Sequence, residues 1–176
     1  MARRRPAACA TPSTRWVSAY VGVGSNIDPE RHIRAALRRL RERFGELHLS
    51  PVYRSRAEGF AGDDFLNLVV AFDTREQPGA VIGFLERLHV EAGRVREAER
   101  FVSRTLDMDL LLYGDAVSRE LQLPRTDITD HAFVLGPLAD LAPTLRHPVT
   151  GHTMQELWEA FDRERHPLTR VDLADA

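Results

Sequence analysis

One cysteine, Cys9, is present in 176 residues, which excludes an internal disulfide framework and suits a reducing compartment. No apolar run approaches the roughly 20 residues that a membrane-spanning helix needs. Neither sign of charge dominates: 24 basic and 26 acidic side chains leave a net charge of −2, so bulk affinity for nucleic acid is not indicated. There is no internal repeat. The first residues carry Arg3-Arg4-Arg5, then Pro, Ala, Thr and Ser, and lack the apolar core of an export signal. Residues 1–15 therefore read as a disordered tail before a single domain over 16–176, and the expected location is the cytoplasm.

What remains is ordinary for a globular protein, with 43% hydrophobic and 28% charged residues. Because arginine is heavily used, phosphate chemistry has to be sought in local clusters. Trp16 to Val23 reads as a first strand, ended by Gly24-Ser25-Asn26. Asp28-Pro29 then supplies a helix N-cap and an N1 proline, and Ile33, Ala36, Leu37 and Leu40 share one helical face up to Phe44-Gly45. Leu47–Tyr53 and Phe65–Phe72 read as two more strands around a polar loop from Ser55 to Asp64. Pro78 opens a second helix with Val81, Ile82, Leu85, Leu88 and Val90 in one stripe, ending near Ala92-Gly93. An Arg- and Glu-rich loop follows to Ser103. Beyond the next strand come a hairpin partner around Leu121–Leu123, a helix over Phe133–Leu141, and another over Met154–Phe161 capped by Thr153. The Arg163–His166 run before Pro167 reads as a solvated helix end and a strap over the domain. The order β-α-β-β-α-β predicts an α+β, ferredoxin-like antiparallel sheet with helices packed on it and a C-terminal helical extension.

The chemistry concentrates at Arg104-Thr105-Leu106-Asp107-Met108-Asp109, which runs into Leu110-Leu111-Leu112-Tyr113 and stops at Gly114-Asp115. Strand side chains alternate faces, so Asp107 and Asp109 point one way and Leu106, Met108 and Leu110 the other. Two like charges side by side on a buried strand repel and resist desolvation, unless a cation is held between them. Oxygen ligands without cysteine or a near histidine suit Mg²⁺, which at such sites usually carries nucleotide phosphates. On spacing alone the pair reads equally as two strand-end aspartates answering the arginines upstream. The remaining histidines, His32, His48, His147, His152 and His166, lack ligand spacing and read as surface or turn residues.

Several pieces in order, Val23-Gly24-Ser25-Asn26, Phe65-Leu66-Asn67, Gly93-Arg94-Val95-Arg96, Arg104 to Asp109, and Ala132-Phe133-Val134-Leu135 with Pro137-Leu138, make the chain resemble the 6-hydroxymethyl-7,8-dihydropterin pyrophosphokinases of folate synthesis. The resemblance runs from about Val17 to Pro143. It implies transfer of a pyrophosphoryl group from ATP to the pterin's hydroxymethyl oxygen, with AMP leaving and two Mg²⁺ ions between the aspartates and the triphosphate. By resemblance Asp107 and Asp109 are the metal ligands, Arg104 faces the phosphates, and Arg94, Arg96 and Arg100 ride a loop that closes over ATP. Phe65 and Phe133 would stack on the pterin, with Asn67, Ser55 and the loop backbone to Gly59 at its edge. The implied partners are ATP and the dihydropterin, with no nucleic acid or membrane, and the implied state is a monomer.

Five departures from the family pattern fall in the ATP half, one of them Glu97 in place of the usual lysine or arginine after Arg96. Phe101-Val102-Ser103 replaces the usual Trp-Gly-Pro, and Pro124-Arg125 replaces Pro-His. His131 takes the place of an arginine, making a fixed charge titratable, and His89 that of a common glutamate. Arg125 and His131 still count as phosphate-side residues. These changes predict retained pterin and Mg²⁺ binding with altered ATP affinity, loop motion or rate. The alternatives are a paralogue acting on a related pterin, and a pterin- or nucleotide-binding protein with little transfer. A ferredoxin-like RNA-binding module is a more distant one, because the Gly-aromatic motif and basic face of that class are missing.

Overall fold

A computed structural model of the chain describes residues 15–57, 62–93 and 105–173. Its elements are β1 (Val17–Ser25), α1 (Pro29–Phe44), β2 (His48–Leu49), β3 (Val52–Ser55), β4 (Phe65–Thr74), α2 (Pro78–Glu91), β5 (Asp107–Tyr113), α3 (Asp127–Asp130), α4 (Ala132–Leu141), α5 (Met154–Ala160) and β6 (Thr169–Val171). The antiparallel sheet runs β5-β1-β4-β3-β6, with β2 also on β4. Its first four strands have the order of a ferredoxin-like β-α-β-β-α-β unit. The first six residue blocks after the tail are thus where the sequence pattern puts them. Residues 1–14 of the expected tail, Gly59 of the polar loop, Arg94, Arg96, Arg100 and Arg104, and the Phe101-Val102-Ser103 departure lie outside the described residues.

Period-two alternation divides the sheet's side chains between two cores. Ala19, Val21 and Val23 of β1, Leu66, Leu68, Val70 and Phe72 of β4, and Met108 and Leu110 of β5 pack with Ile33, Leu37 and Leu40 of α1 and Val81, Leu85 and Leu88 of α2. Val69, Leu111 and Leu112 face the other way, onto Leu135 and Leu138 of α4. Two consecutive leucines can share that face because β5 bulges. Tyr20 pairs with Leu112 and Val21 with Leu110, which leaves Leu111 as the extra residue.

Several local expectations need correction. The second strand is broken in two. Ser50 N–H donates to the Val69 carbonyl and Ser50 Oγ accepts from Val69 N–H, both at 2.9 Å, so a side chain takes a rung of the ladder just before Pro51, which has no N–H to offer. Asp28 does not cap α1 through its side chain. It sits in a left-handed turn (φ 46°) and its carboxylate pairs with Arg31 at 3.5 Å. Val90 is exposed, and Phe84 and His89 take the buried positions on α2. The residues around Leu121–Leu123 pair back on Ser118 rather than joining the sheet. The C-terminal segment adds strand β6 on β3 besides helices. Thr153 does cap α5, in a full capping box with Glu156. Among the described residues no helix is long and apolar enough to cross a membrane.

Candidate active site

Strand register assembles the site. On β1, Gly24 lies opposite both Asp107 of β5 and Asn67 of β4, and Gly22 lies opposite both Asp109 and Val69. Residues directly opposite in antiparallel strands share a face, so Asp107, Asp109 and Asn67 all stand on the α4 side of the sheet. The two glycines between them leave a floor of bare backbone. A methyl group at Gly24 would come 2.9 Å from Asn67 Oδ1, and one at Gly22 would touch Leu111 at 3.4 Å. This trough of side-chain-free backbone, overlain by Asn67 Oδ1 and the Leu111 side chain, runs between the acidic pair and the amide. The glycines were missed in the sequence, although their spacing of two within a strand was the available signal.

Asn67 is buried, and its Nδ2 donates to Ser55 Oγ at 2.9 Å. Ser55 and Phe65 are register partners on β3 and β4, so all three expected edge and stacking residues converge at one end of those strands. Phe133, at the start of α4, stacks on His131 with ring centroids 4.9 Å apart. Two buried residues, the last of β1 and the one after it, tie the neighbouring segments together. Ser25 Oγ donates to the Thr105 carbonyl at 2.6 Å, and Asn26 Nδ2 donates to the Asp63 carbonyl at 3.1 Å. Gly-Ser-Asn is therefore more than a helix lead-in, because it anchors both segments that flank the trough.

Asp107 and Asp109 are both half-buried, whereas Met108 between them is fully buried in the opposite core. Among the described residues β5 is an edge strand paired only with β1, and the Met108 N–H points away from the sheet. His89 of α2, itself buried, receives it on Nε2 at 2.7 Å, which requires that nitrogen to be unprotonated. Asp109 pairs with Arg125, whose Nη2 lies 3.4 Å from its Oδ2. Arg125 Nε also donates to Asp127 at 2.8 Å, and His131 Nε2 lies 3.8 Å from the same carboxylate. Asp109 thus meets an arginine downstream of the strand, while the upstream arginines of the other sequence reading lie outside the described residues.

Beside β5 lies an open cleft of about 400 Å³ between α2 and the 118–123 hairpin. Its apolar wall is Ile82, Leu85, Leu110 and Leu121, and its polar rim includes His89, Asp109, Gln122 and Arg125. Sequence reading did not identify this cleft, because its wall is built from residues that look like ordinary core on separate elements. Among the described residues no cluster of three His, Cys, Asp or Glu side chains converges. Two adjacent carboxylates with no soft donor nevertheless match Mg²⁺, which takes one or two protein carboxylates and completes its octahedron with water and phosphate oxygens.

Comparison with known proteins gives a consistent result. The model of the family described as 7,8-dihydro-6-hydroxymethylpterin-pyrophosphokinase matches residues 20–143. A 2-amino-4-hydroxy-6-hydroxymethyldihydropteridine pyrophosphokinase from Pseudomonas aeruginosa is 42% identical over 151 residues, covering 80% of this chain and 90% of the relative. The protein of the same name from Haemophilus influenzae is 34% identical over 139 residues, covering 75% of this chain and 86% of its own. A crystal structure of Plasmodium falciparum HPPK-DHPS superposes with a TM-score of 0.66 at 11% identity, over 86% of this chain and 45% of that larger one. At that identity it attests the fold alone.

Proposed function

The chain belongs to the 7,8-dihydro-6-hydroxymethylpterin-pyrophosphokinase family, and from that premise we propose that it transfers pyrophosphate from ATP to the hydroxymethyl group of 6-hydroxymethyl-7,8-dihydropterin, releasing AMP, in folate biosynthesis. The single observation that best supports the reading is the row Asp107–Gly24–Asn67 across three neighbouring strands. It sets an acidic couple and a heterocycle-reading amide on one face with nothing but backbone between them.

In this reading the pterin stacks on Phe65 and Phe133, and Asn67, oriented by Ser55, pairs with its edge. A buried amide discriminates well, because a wrong ring leaves it unpartnered. The nucleotide lies along the cleft beside β5, with its phosphate tail passing Arg125 and His131 toward the trough. Asp107 and Asp109 hold Mg²⁺, two ions by resemblance, which when bound would neutralise the phosphates and polarise the transferred group. The acceptor oxygen then forms a bond to the β-phosphorus as the bridge to the α-phosphate breaks and AMP departs. By resemblance Arg94, Arg96, Arg100 and Arg104, in the segment between α2 and β5, supply guanidinium groups that grip phosphate oxygens and exclude water. In the same reading the working unit is a monomer, one domain over 16–176, in the cytoplasm where ATP is held.

AMP release from Mg-ATP plus the reduced hydroxymethyl pterin tests the reading directly. Asp107→Ala and Asp109→Ala should each lower the rate by about 10³-fold or more with an unchanged circular dichroism spectrum. No AMP from the intact chain with that pterin, or full activity in either variant, would overturn it.

A further inference from the structure

Arg125 is held in place before any ligand arrives. Its main-chain N–H donates to the Leu111 carbonyl at 3.0 Å, at the bulge of β5. Its side chain reaches three acceptors: Nε to Asp127 Oδ2 at 2.8 Å, Nη1 to Gln122 Oε1 at 2.9 Å, and Nη2 beside Asp109 Oδ2 at 3.4 Å. The side chain is only 25% exposed, so this is a partly desolvated charge rather than a trailing surface arm. His131 shares Asp127 from the other side, at 3.8 Å. A permanent cation therefore sits on one of the two carboxylates that the proposed function gives to Mg²⁺.

We propose that Arg125 is an internal counter-cation: it weakens the Asp107–Asp109 couple toward a bare divalent ion and so links metal entry to nucleotide entry. The inference rests on the reading of that couple as a magnesium site. A free ion approaching Asp109 meets the guanidinium and must displace it or bind beside it against like charge. A triphosphate brings the opposite charge. It offers the guanidinium oxygens to grip in place of Asp109, which frees the carboxylate at the moment the metal arrives with the nucleotide. Because linkage is reciprocal, the same group raises nucleotide affinity in the presence of metal.

The test uses the full chain and Mn²⁺ as the probe, followed by electron paramagnetic resonance, with and without α,β-methylene ATP. Without nucleotide, Arg125→Met should bind Mn²⁺ about five- to tenfold more tightly than the parent, and the gain in affinity caused by the analogue should shrink by the same factor. Arg125→Lys keeps the charge and should stay within about twofold of the parent. Arg38→Met, which removes an exposed charge on α1, should change neither constant. Thermal melting of each variant confirms that it is folded. Equal or weaker Mn²⁺ binding by Arg125→Met without nucleotide, or a shift of the same size in Arg38→Met, overturns the proposal. A separate arm protects the distinction from the parent reading. If Asp109→Ala leaves Mn²⁺ binding intact, the magnesium site itself is wrong, whereas its loss alongside an inert Arg125→Met sinks only the counter-cation.

Discussion

Asn67 illustrates what one buried amide can decide. It lies in an otherwise apolar strand, 6% exposed, with its Nδ2 spent on Ser55 Oγ. Replacing it by alanine removes a pairing edge and strands the serine hydroxyl. The expected outcome is a KM for the pterin raised about 10- to 100-fold with a smaller change in kcat, measured by AMP release at saturating Mg-ATP. This residue was legible in the sequence, because an amide between Leu66 and Leu68 has to find partners. The aspartate couple was legible for a similar reason. Ser25 and Asn26 were not, since their bonds to Thr105 and Asp63 join positions 80 and 37 residues away, and no local pattern encodes such distances. His147 is the turn residue that the sequence offered, but a buried one rather than a surface one. It is buried because its Nδ1 accepts from the N–H groups of Val149 and Thr150, holding its turn.

At the scale of elements, β1 carries the site by what it withholds. Gly24 has ordinary strand geometry, so alanine there meets no backbone strain. Its cost is the methyl group lodged 2.9 Å from Asn67 Oδ1. Asn67 must then rotate away or the strands must part. Gly24→Ala should therefore lose about 1–3 kcal/mol of stability by thermal or denaturant unfolding and weaken pterin binding at least as much as loss of the amide does. A variant with full stability and full pterin affinity would disprove the bare-floor argument. Element types and order were readable from periodicity, turn residues and caps, as α5 with its Thr153–Glu156 box shows. The interruption at Ser50-Pro51 and the bulge at Leu111 were not, because each depends on which strand lies alongside. Short β6 was equally hidden: three residues too polar to announce a strand pair with β3 only because that edge is available.

Across the whole molecule, Tyr53, directly opposite Asn67 on β3, and His147 are two of the groups through which the fold responds to pH. Tyr53 of β3 donates to Asp140 of α4, which also lies 3.7 Å from Arg170 of β6, so one contact joins sheet, helix and C-terminal strand. Burial, and then the Asp140 carboxylate, push the Tyr53 hydroxyl up to about 12. Its contribution is complete below the unfolded value of about 10 and fades as pH rises from there through 12. Burial pulls His147 below its ordinary value, so stability there is complete above about 6.5 and fades as pH falls beneath it. Unfolding free energy should thus form a plateau between roughly pH 7 and 10. Because burial also raises the Tyr20 and Tyr113 hydroxyls, Tyr53→Phe should reduce the alkaline shoulder without changing the acid side. An unchanged shoulder would remove Tyr53 from the account. One last consequence follows from β5 having a neighbour on one side only. Had a seventh strand docked against it, the Met108 amide would have entered a ladder, and the groove between α2 and the 118–123 hairpin would be filled with main chain. The cleft in which the proposed function lays the nucleotide is open because, among the described residues, the sheet ends at β5.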